Sequence, residues 1–398
     1  MTGTVLLTLG RLPKALDLAR GFAEHGWRVV VAEPFRRHLA GMSRAVARSH
    51  RIAAPADGAD RYIEDLSRLI AAERIDLVLP VSEETPHVAF LHGRLPSGTA
   101  LFTMPPEDVL RLHDKHGFVR RAAALGLTVP ETHPLGDPSA AALARSGPVV
   151  VKPVHSCSGR GVRILAGGAD LPPPSPDAPA IVQRFVAGDE FSSCSIAHDG
   201  RIASTVIYRA AQKSGSVAVV FERVEHAAID DWIRRFVAAE RWTGFIAFDI
   251  VVDAGGVPWG IECNPRATSG LHFWRRDEIA RAVLDPGYAP GLRAEARLQQ
   301  FYPALTETQM SLFRGGPFAA NLRRLLTTRD VSWEWRDPLP FLTMTYTSWP
   351  IIRMAMARGV PFGEVATLDV GWYGPSMPGA AGPVRATAAD SSTTWGTT

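Results

Sequence analysis

The sequence predicts an α/β protein: a strand–helix alternating N-terminal domain, then two hairpin-based lobes, then a less regular C-terminal region. Three observations carry this. Residues 1–105 alternate short apolar runs with helical stretches, the pattern of a parallel, Rossmann-like sheet. Residues 149–165 set a Gly/Ser-rich loop between two apolar runs. Residues 245–264 set a Gly-Gly turn between two strand-like runs that both carry acids.

In the N-terminal part, residues 5–9 read as a strand and residues 13–25 as a helix ended by Gly26. Residues 29–32 are the next strand, residues 62–74 a helix, and residues 77–80 a further strand. Gly10 ends the first strand, but the dinucleotide glycine pattern is missing, which argues against NAD. Ser82-Glu83-Glu84 follows the carboxyl end of a strand, where open α/β sheets place ligands. Glu83 is therefore either a substrate contact or part of a solvated loop.

The segment Val149-Val150-Val151-Lys152-Pro153 is an apolar strand with a lysine near its end. A lysine there needs an anion, and a phosphate would provide one. Ser156-Cys157-Ser158-Gly159-Arg160-Gly161 follows and leads into a second strand at residues 162–165. It lacks Gly-Lys-Ser/Thr and does not open a helix, so it is no P-loop. It reads as a hairpin whose tip folds over phosphates, with backbone N–H groups and the Ser156 and Ser158 hydroxyls as donors. The sequence has four lysines, Lys14, Lys115, Lys152 and Lys213, against a large excess of Arg. In such a chain a lysine tends to persist where a slim ammonium is needed. Lys14 and Lys213 are also consistent with ordinary surface residues.

In the second hairpin residues 245–253 are one strand and residues 257–264 the returning one. If Asp253 pairs with Pro258, antiparallel register sets Asp249 opposite Glu262, with Asn264 on the same face. Facing carboxylates repel unless a proton or cation sits between them, and an all-oxygen set suits Mg²⁺ or Mn²⁺. A slip of one residue would break the convergence.

These motifs resemble the ATP-grasp superfamily of carboxylate–amine ligases, in the expected order over about residues 1–275. The resemblance implies an ATP-grasp fold with a Rossmann-like pre-ATP-grasp domain at 1–105, a small lobe at 106–180, a large lobe with the metal site at 181–285, and a C-terminal extension. Asp114-Lys115, a helical run and Gly126-Leu127-Thr128-Val129-Pro130 resemble the start of the small lobe. Lys115 and Lys152 are then the phosphate-contacting lysines, with Ser156, Ser158, Gly159 and Gly161 in the phosphate loop. Gln183 and the backbone of Arg184 and Val186 would hold adenine, and Glu190 the ribose. Asp249, Glu262 and Asn264 match the metal ligands, and Arg266 matches an arginine that stabilises the transferring phosphoryl group. Ser269, Gly270 and His272 follow closely and would face the acceptor, His272 being equally readable as a core histidine. Relatives commonly carry Glu in the hinge where Gln183 or Arg184 stands, and an aliphatic residue at Cys263. Cys263 reads as a small apolar residue on the face opposite the metal.

The implied activity is an ATP-dependent ligase that activates a carboxylate as an acyl phosphate and joins it to an amine, releasing ADP and phosphate. Transfer to a thiol, for instance on a carrier protein, and a non-catalytic ATP-binding module are the alternatives. The implied partners are ATP, Mg²⁺ or Mn²⁺, and small-molecule carboxylate and amine substrates; a homodimer is compatible. A net charge of +3 with pI ≈ 8.9 points to no nucleic acid partner. Cys157, Cys194 and Cys263 show no metal-ligand spacing and suit a reducing, cytoplasmic setting. Residues 4–9 lack a basic n-region and read as a strand, not a signal peptide. Residues 338–352 are uncharged but too short to span a bilayer and read as a buried element. The Pro-rich residues 171–179 read as a loop between lobes, and residues 286–378 as a separate region. Trp333-Glu334-Trp335 reads as core packing or a substrate-facing wall, and residues 379–398 as a disordered tail.

Overall fold

The structure, a computed structural model, describes residues 3–156, 159–215, 217–313, 315–359 and 365–374. The expected disordered tail and the Cys157-Ser158 part of the phosphate loop lie outside the described residues.

The N-terminal sheet is fully parallel, in the order β3-β2-β1-β4-β5. Its strands are β1 (Thr4–Leu7), β2 (Arg28–Glu33), β3 (Arg48–Arg51), β4 (Leu77–Leu79) and β5 (Ala100–Leu101). Helix α1 (Pro13–Glu24) opens with proline at its first turn, where the missing N–H costs nothing. It closes before Gly26, whose φ of 81° suits glycine. Helix α2 (Ala59–Glu73) covers the other face with Tyr62, Ile63, Leu66 and Ile70. The strand order reverses between β1 and β4, so the crevice at their carboxyl ends is the switch point of the sheet. Residues 11–14 and 82–85 border it, the latter opening the short helix α3 (Thr85–Val88).

Helices α4 (Pro106–His113) and α5 (Lys115–Ala124) lead out of this domain, and the Asp114 carboxylate caps α5 by accepting from Gly117 N. A small antiparallel sheet follows, in the order β6-β9-β7-β8, from β6 (Thr132–Pro134), β7 (Val149–Pro153), β8 (Arg163–Leu165) and β9 (Ala180–Arg184). Helix α6 (Pro138–Ser146) packs on it through Ala140, Leu143 and Ala144. The first predicted hairpin is present, Val149 pairing with Leu165 and Val151 with Arg163. The Pro-rich residues 171–179 were expected to join two lobes. They join β8 to β9 within one sheet instead, because β9 is needed as the neighbour of β7.

The large sheet runs β14-β13-β10-β11-β12-β15-β16. Its long members are β10 (Gly188–His198), β11 (Arg201–Ser214), β12 (Val217–Val224), β13 (Gly244–Asp253) and β14 (Pro258–Asn264). Helix α7 (Ala227–Glu240) lies behind it, and with α5 it forms an aromatic core of Phe118, Trp232, Phe236 and Phe248. Cys263 faces this core, as expected. Helix α8 (Arg276–Leu284) packs on α1, so the N-terminal domain and the large sheet share one continuous apolar core.

The C-terminal region is not a separate body. β15 (Arg297–Gln299) and β16 (Arg329–Asp330) extend the large sheet. Helices α9 (Phe301–Phe313) and α10 (Phe318–Thr327) cover β11 and β12 through Ala304 and Leu325. Helices α11 (Leu339–Leu342) and α12 (Met344–Arg358) return to the N-terminal domain, where Met344 meets Leu16 and Leu39. Residues 338–352, expected to be buried, are amphipathic: Met344, Thr347 and Ile351 are buried, whereas Leu342, Tyr346 and Trp349 face outward. Trp333 packs on Phe341, while Trp335 is 81% exposed and stands on the surface. Among the described residues no helix is long and apolar enough to cross a membrane.

Candidate active site

One open cleft of ≈ 1610 Å³ runs between the small sheet, the large sheet and the N-terminal switch point. The expected pairing of Asp249 with Glu262 is present, but the route to it differs from the expectation. The turn closes at Val252↔Pro258, one residue short of the assumed Asp253↔Pro258 pair. Asp253 ends β13 opposite Gly188, and its carboxylate accepts from Gly255 N, Val257 N and Trp259 Nε1 of the turn and returning strand. A β-bulge then restores the pairing: Ile250 faces Gly260, Asp249 faces Glu262, and Ile261 is the extra residue. Gly260 points at the core, where an added Cβ would sit 2.5 Å from the Trp232 ring. Ile261 and Glu262 both line the cleft.

On this face the polar side chains form a chain. Ser192 Oγ donates to Asp249 Oδ1 at 2.6 Å, and Asn264 Nδ2 donates to Asp249 Oδ2 at 3.0 Å. Asn264 Oδ1 accepts from Arg266 Nη2 at 2.8 Å. Arg266 grips Glu83 with two short contacts, Nε to Oε2 at 2.8 Å and Nη2 to Oε1 at 2.6 Å. Glu83, read from strand position alone, thus joins the site. Burial alone would raise the Glu83 carboxyl, and Arg266, with His113 and Lys14, brings it below its ordinary value. Burial and then the facing Glu262 push Asp249 up to about 6. A cation at Asp249 would oppose this rise, and Lys115 Nζ already lies 3.0 Å from Glu262 Oε1. Among the described residues no group of three or more His, Cys, Asp and Glu is placed to hold a metal. The oxygen donors at the pair are two carboxylates, a hard set that suits a divalent ion, while Asn264 turns Nδ2 to Asp249 and Oδ1 to Arg266, so its amide would have to turn over to join them.

Two buried lysines border this face, Lys115 at the start of α5 and Lys152 near the end of β7. Lys115, 2% exposed, places Nζ 3.0 Å from Glu262 Oε1 and donates to Ser156 O at 2.8 Å and Ser156 Oγ at 3.2 Å. It therefore ties the root of the Gly/Ser loop to the acid pair. Lys152 Nζ donates to Gln183 Oε1 at 2.8 Å, and burial holds its ammonium down to about 8, Glu262 opposing and Lys115 reinforcing. Gln183 Nε2 reaches Thr132 Oγ1 at 3.0 Å, so this side chain is a bracket across three strands. The Arg184 N–H is already donated to Glu131 O at 2.8 Å. Arg184, Val186 and Glu190 line the cleft. Glu190 pairs with Lys213, which is exposed, as an ordinary surface residue would be, and also lines the cleft. Gly159 and Gly161 have φ of 66° and 72°, the left-handed backbone the loop needs.

Of the acceptor candidates only Ser269 lines the cleft. Gly270 is packed against Cys194, with 2.7 Å to an added Cβ, and His272 is fully buried with Nδ1 2.7 Å from Asp17 Oδ2. Both are core residues, held there by the short helical turn Ser269–Phe273. Lys14 is the residue missed. Its Nζ, from the first turn of α1, donates to Ser82 Oγ at 3.0 Å and Ala267 O at 2.7 Å. Its scarcity in the sequence and its place just after the first strand were the available signals.

Residues 112–270 match the family model described as an ATP-grasp domain. The C-terminal section of the carbamoyl phosphate synthase large chain from Methanopyrus kandleri is 26% identical over 257 residues, 59% of this chain and 44% of that protein. The chain thus spans less than half the length of that relative. Among solved structures, N5-carboxyaminoimidazole synthetase from Staphylococcus aureus complexed with ADP superposes with TM-score 0.59 at 12% identity, covering 79% of this chain and 86% of that one. Biotin carboxylase from Campylobacter jejuni gives 0.59 at 15%, covering 73% and 74%. L-amino acid ligase from Bacillus licheniformis gives 0.55 at 16%, covering 72% and 76%. At these identities the likeness is one of fold.

Proposed function

We propose that this chain, which carries an ATP-grasp domain over residues 112–270, is an ATP-dependent ligase that phosphorylates a carboxylate and passes the acyl group to an amine. The observation that carries this is the continuous chain Asp249–Asn264–Arg266–Glu83, which joins the acid pair of the large sheet to the switch point of the N-terminal sheet. One end suits a phosphate tail and the other a substrate.

In this reading Lys115, Lys152, Ser156, Gly159 and Gly161 surround the ATP phosphates. Arg184, Val186 and Gln183 border the adenine and Glu190 the ribose. Asp249, Glu262 and Asn264 would hold Mg²⁺, which neutralises phosphate charge when bound. Arg266 supports the charge that develops on the transferring phosphoryl group. Oxide is a poor leaving group; phosphorylation of the acid replaces it with phosphate, and the amine then attacks the carbonyl. Holding acid, amine and ATP in one cleft supplies the orientation.

A screen crossing carboxylic acids with amines and thiols, read by ADP release, tests the proposal. An acid–amine pair should release ADP and phosphate, and hydroxylamine should trap a hydroxamate. Release of AMP and pyrophosphate with a productive pair would overturn the acyl-phosphate route. Release that requires a thiol would assign the other acceptor class.

A further inference from the structure

Lys14 and Arg266 converge on a single neutral atom. Lys14 Nζ donates to the Ala267 carbonyl oxygen at 2.7 Å, and Arg266 Nη1 donates to the same oxygen at 3.2 Å. Arg266 is balanced by Glu83, and the neighbouring Arg11 is sealed between Glu33 and Asp369. Among the described residues no carboxylate lies within ion-pair distance of Lys14, although its residue is 8% exposed. Burial, with Arg266 beside it, brings the Lys14 ammonium down to about 7, and Glu83 and Glu84 oppose this only from beyond ion-pair distance, so an anion in contact would complete the site. Lys14 lines the cleft, so that anion can come from a ligand.

The cleft continues past this pair into a compartment closed by the C-terminal region, outside the span matched to the family model. Its wall is one face of α12: Met344, Ser348 and Ile351, spaced at i, i+4 and i+7. Leu39 and Leu12 of the N-terminal domain pack on Met344 and Ile351 and close the floor of this part of the cleft. This wall is mostly apolar, and Arg11, the nearby guanidinium, is already committed. The α12 face itself carries no charged side chain, so it suits the apolar part of a ligand.

We infer that this compartment seats an organic monocarboxylate with an apolar tail. Its carboxylate lies between Lys14 and Arg266, and its tail lies against α12, which sets the tail length. The inference rests on the ligase reading for the fate of the acid, but binding alone tests it. The probes are butyrate, hexanoate, phenylacetate, succinate and bicarbonate, titrated calorimetrically into the full chain with Mg²⁺ and a non-hydrolysable ATP analogue. Hexanoate and phenylacetate should bind at least tenfold tighter than succinate or bicarbonate. Lys14→Ala should weaken hexanoate at least tenfold and leave the analogue's affinity unchanged. Ser348→Leu, at a half-buried position on the wall, should shift the preference from hexanoate to butyrate. Succinate or bicarbonate binding as tightly as hexanoate would overturn the inference. So would an unaltered chain-length order in Ser348→Leu, or hexanoate affinity that does not depend on Lys14. Tight hexanoate binding with no ADP release in any acid–amine pair would instead sink the ligase reading alone. ADP release with bicarbonate as the sole productive acid would sink this inference alone.

Discussion

Replacing Lys152 with methionine should stabilise the fold while weakening nucleotide binding. Lys152 is 6% exposed, and its Nζ has Gln183 Oε1 as a hydrogen-bond partner. Burial lowers its proton affinity from 10.5 to about 8, Glu262 opposing and Lys115 reinforcing. Each tenfold change in proton affinity is worth about 1.4 kcal/mol, so carrying the charge into the fold costs about 3 kcal/mol at neutral pH. In the unfolded chain the lysine keeps its proton to near 10.5. Between roughly pH 8 and 10.5 the unfolded state therefore binds more protons, and wild-type stability rises with pH across that window. Below it the penalty is fully present; above it the penalty is gone. Methionine carries no such penalty but strands Gln183 Oε1, at about 1–3 kcal/mol. At pH 7 the variant should thus gain up to about 2 kcal/mol and unfold at a higher midpoint, and this advantage should vanish or reverse by pH 10. Affinity for ADP should fall by about 1.5–3 kcal/mol, the size of a lost charge-assisted hydrogen bond. Thermal unfolding at the two pH values and titration calorimetry read both effects. A stability gap that is the same at pH 7 and pH 10, or an unchanged ADP affinity, would refute the reasoning.

Asp249→Asn and Glu262→Gln should each abolish turnover at saturating Mg²⁺, with the double variant little worse than either single, because the pair acts as one unit; steady-state ADP release checks this. Glu83→Gln takes from Arg266 its charged partner in a mostly buried pair and should cost about 1–3 kcal/mol in stability. It should also lower turnover at least tenfold, and normal values of both would detach Glu83 from the site. With a productive acid labelled by oxygen-18 in its carboxylate, label should appear in the released phosphate by mass spectrometry. Unlabelled phosphate would exclude attack of the carboxylate on the γ-phosphoryl group.

Local chemistry made much of this protein legible from its sequence. The alternation of residues 1–105, the Gly/Ser loop between two apolar strands and the acids flanking a Gly-Gly turn are short-range patterns, set by backbone sterics and side-chain period. They identified the parallel sheet, both hairpins and the meeting of Asp249 with Glu262. Even there, the register was reached through a bulge at Ile261, because Gly260 has to pass under the Trp232 ring. No period in the sequence announces that contact. His272 and Ser269 are three residues apart in one turn, yet only Ser269 meets the cleft, since Asp17, itself held by Arg293, draws His272 into the core. The partners of Lys14, Lys213 and α12 lie in other elements, some separated by hundreds of residues. Sequence by itself determined the elements and the residue types that carry the chemistry. Which of those residues face one another, and that the C-terminal region walls the cleft, was decided by packing between distant segments, since a buried charge or apolar face is satisfied only when the whole chain has closed around it.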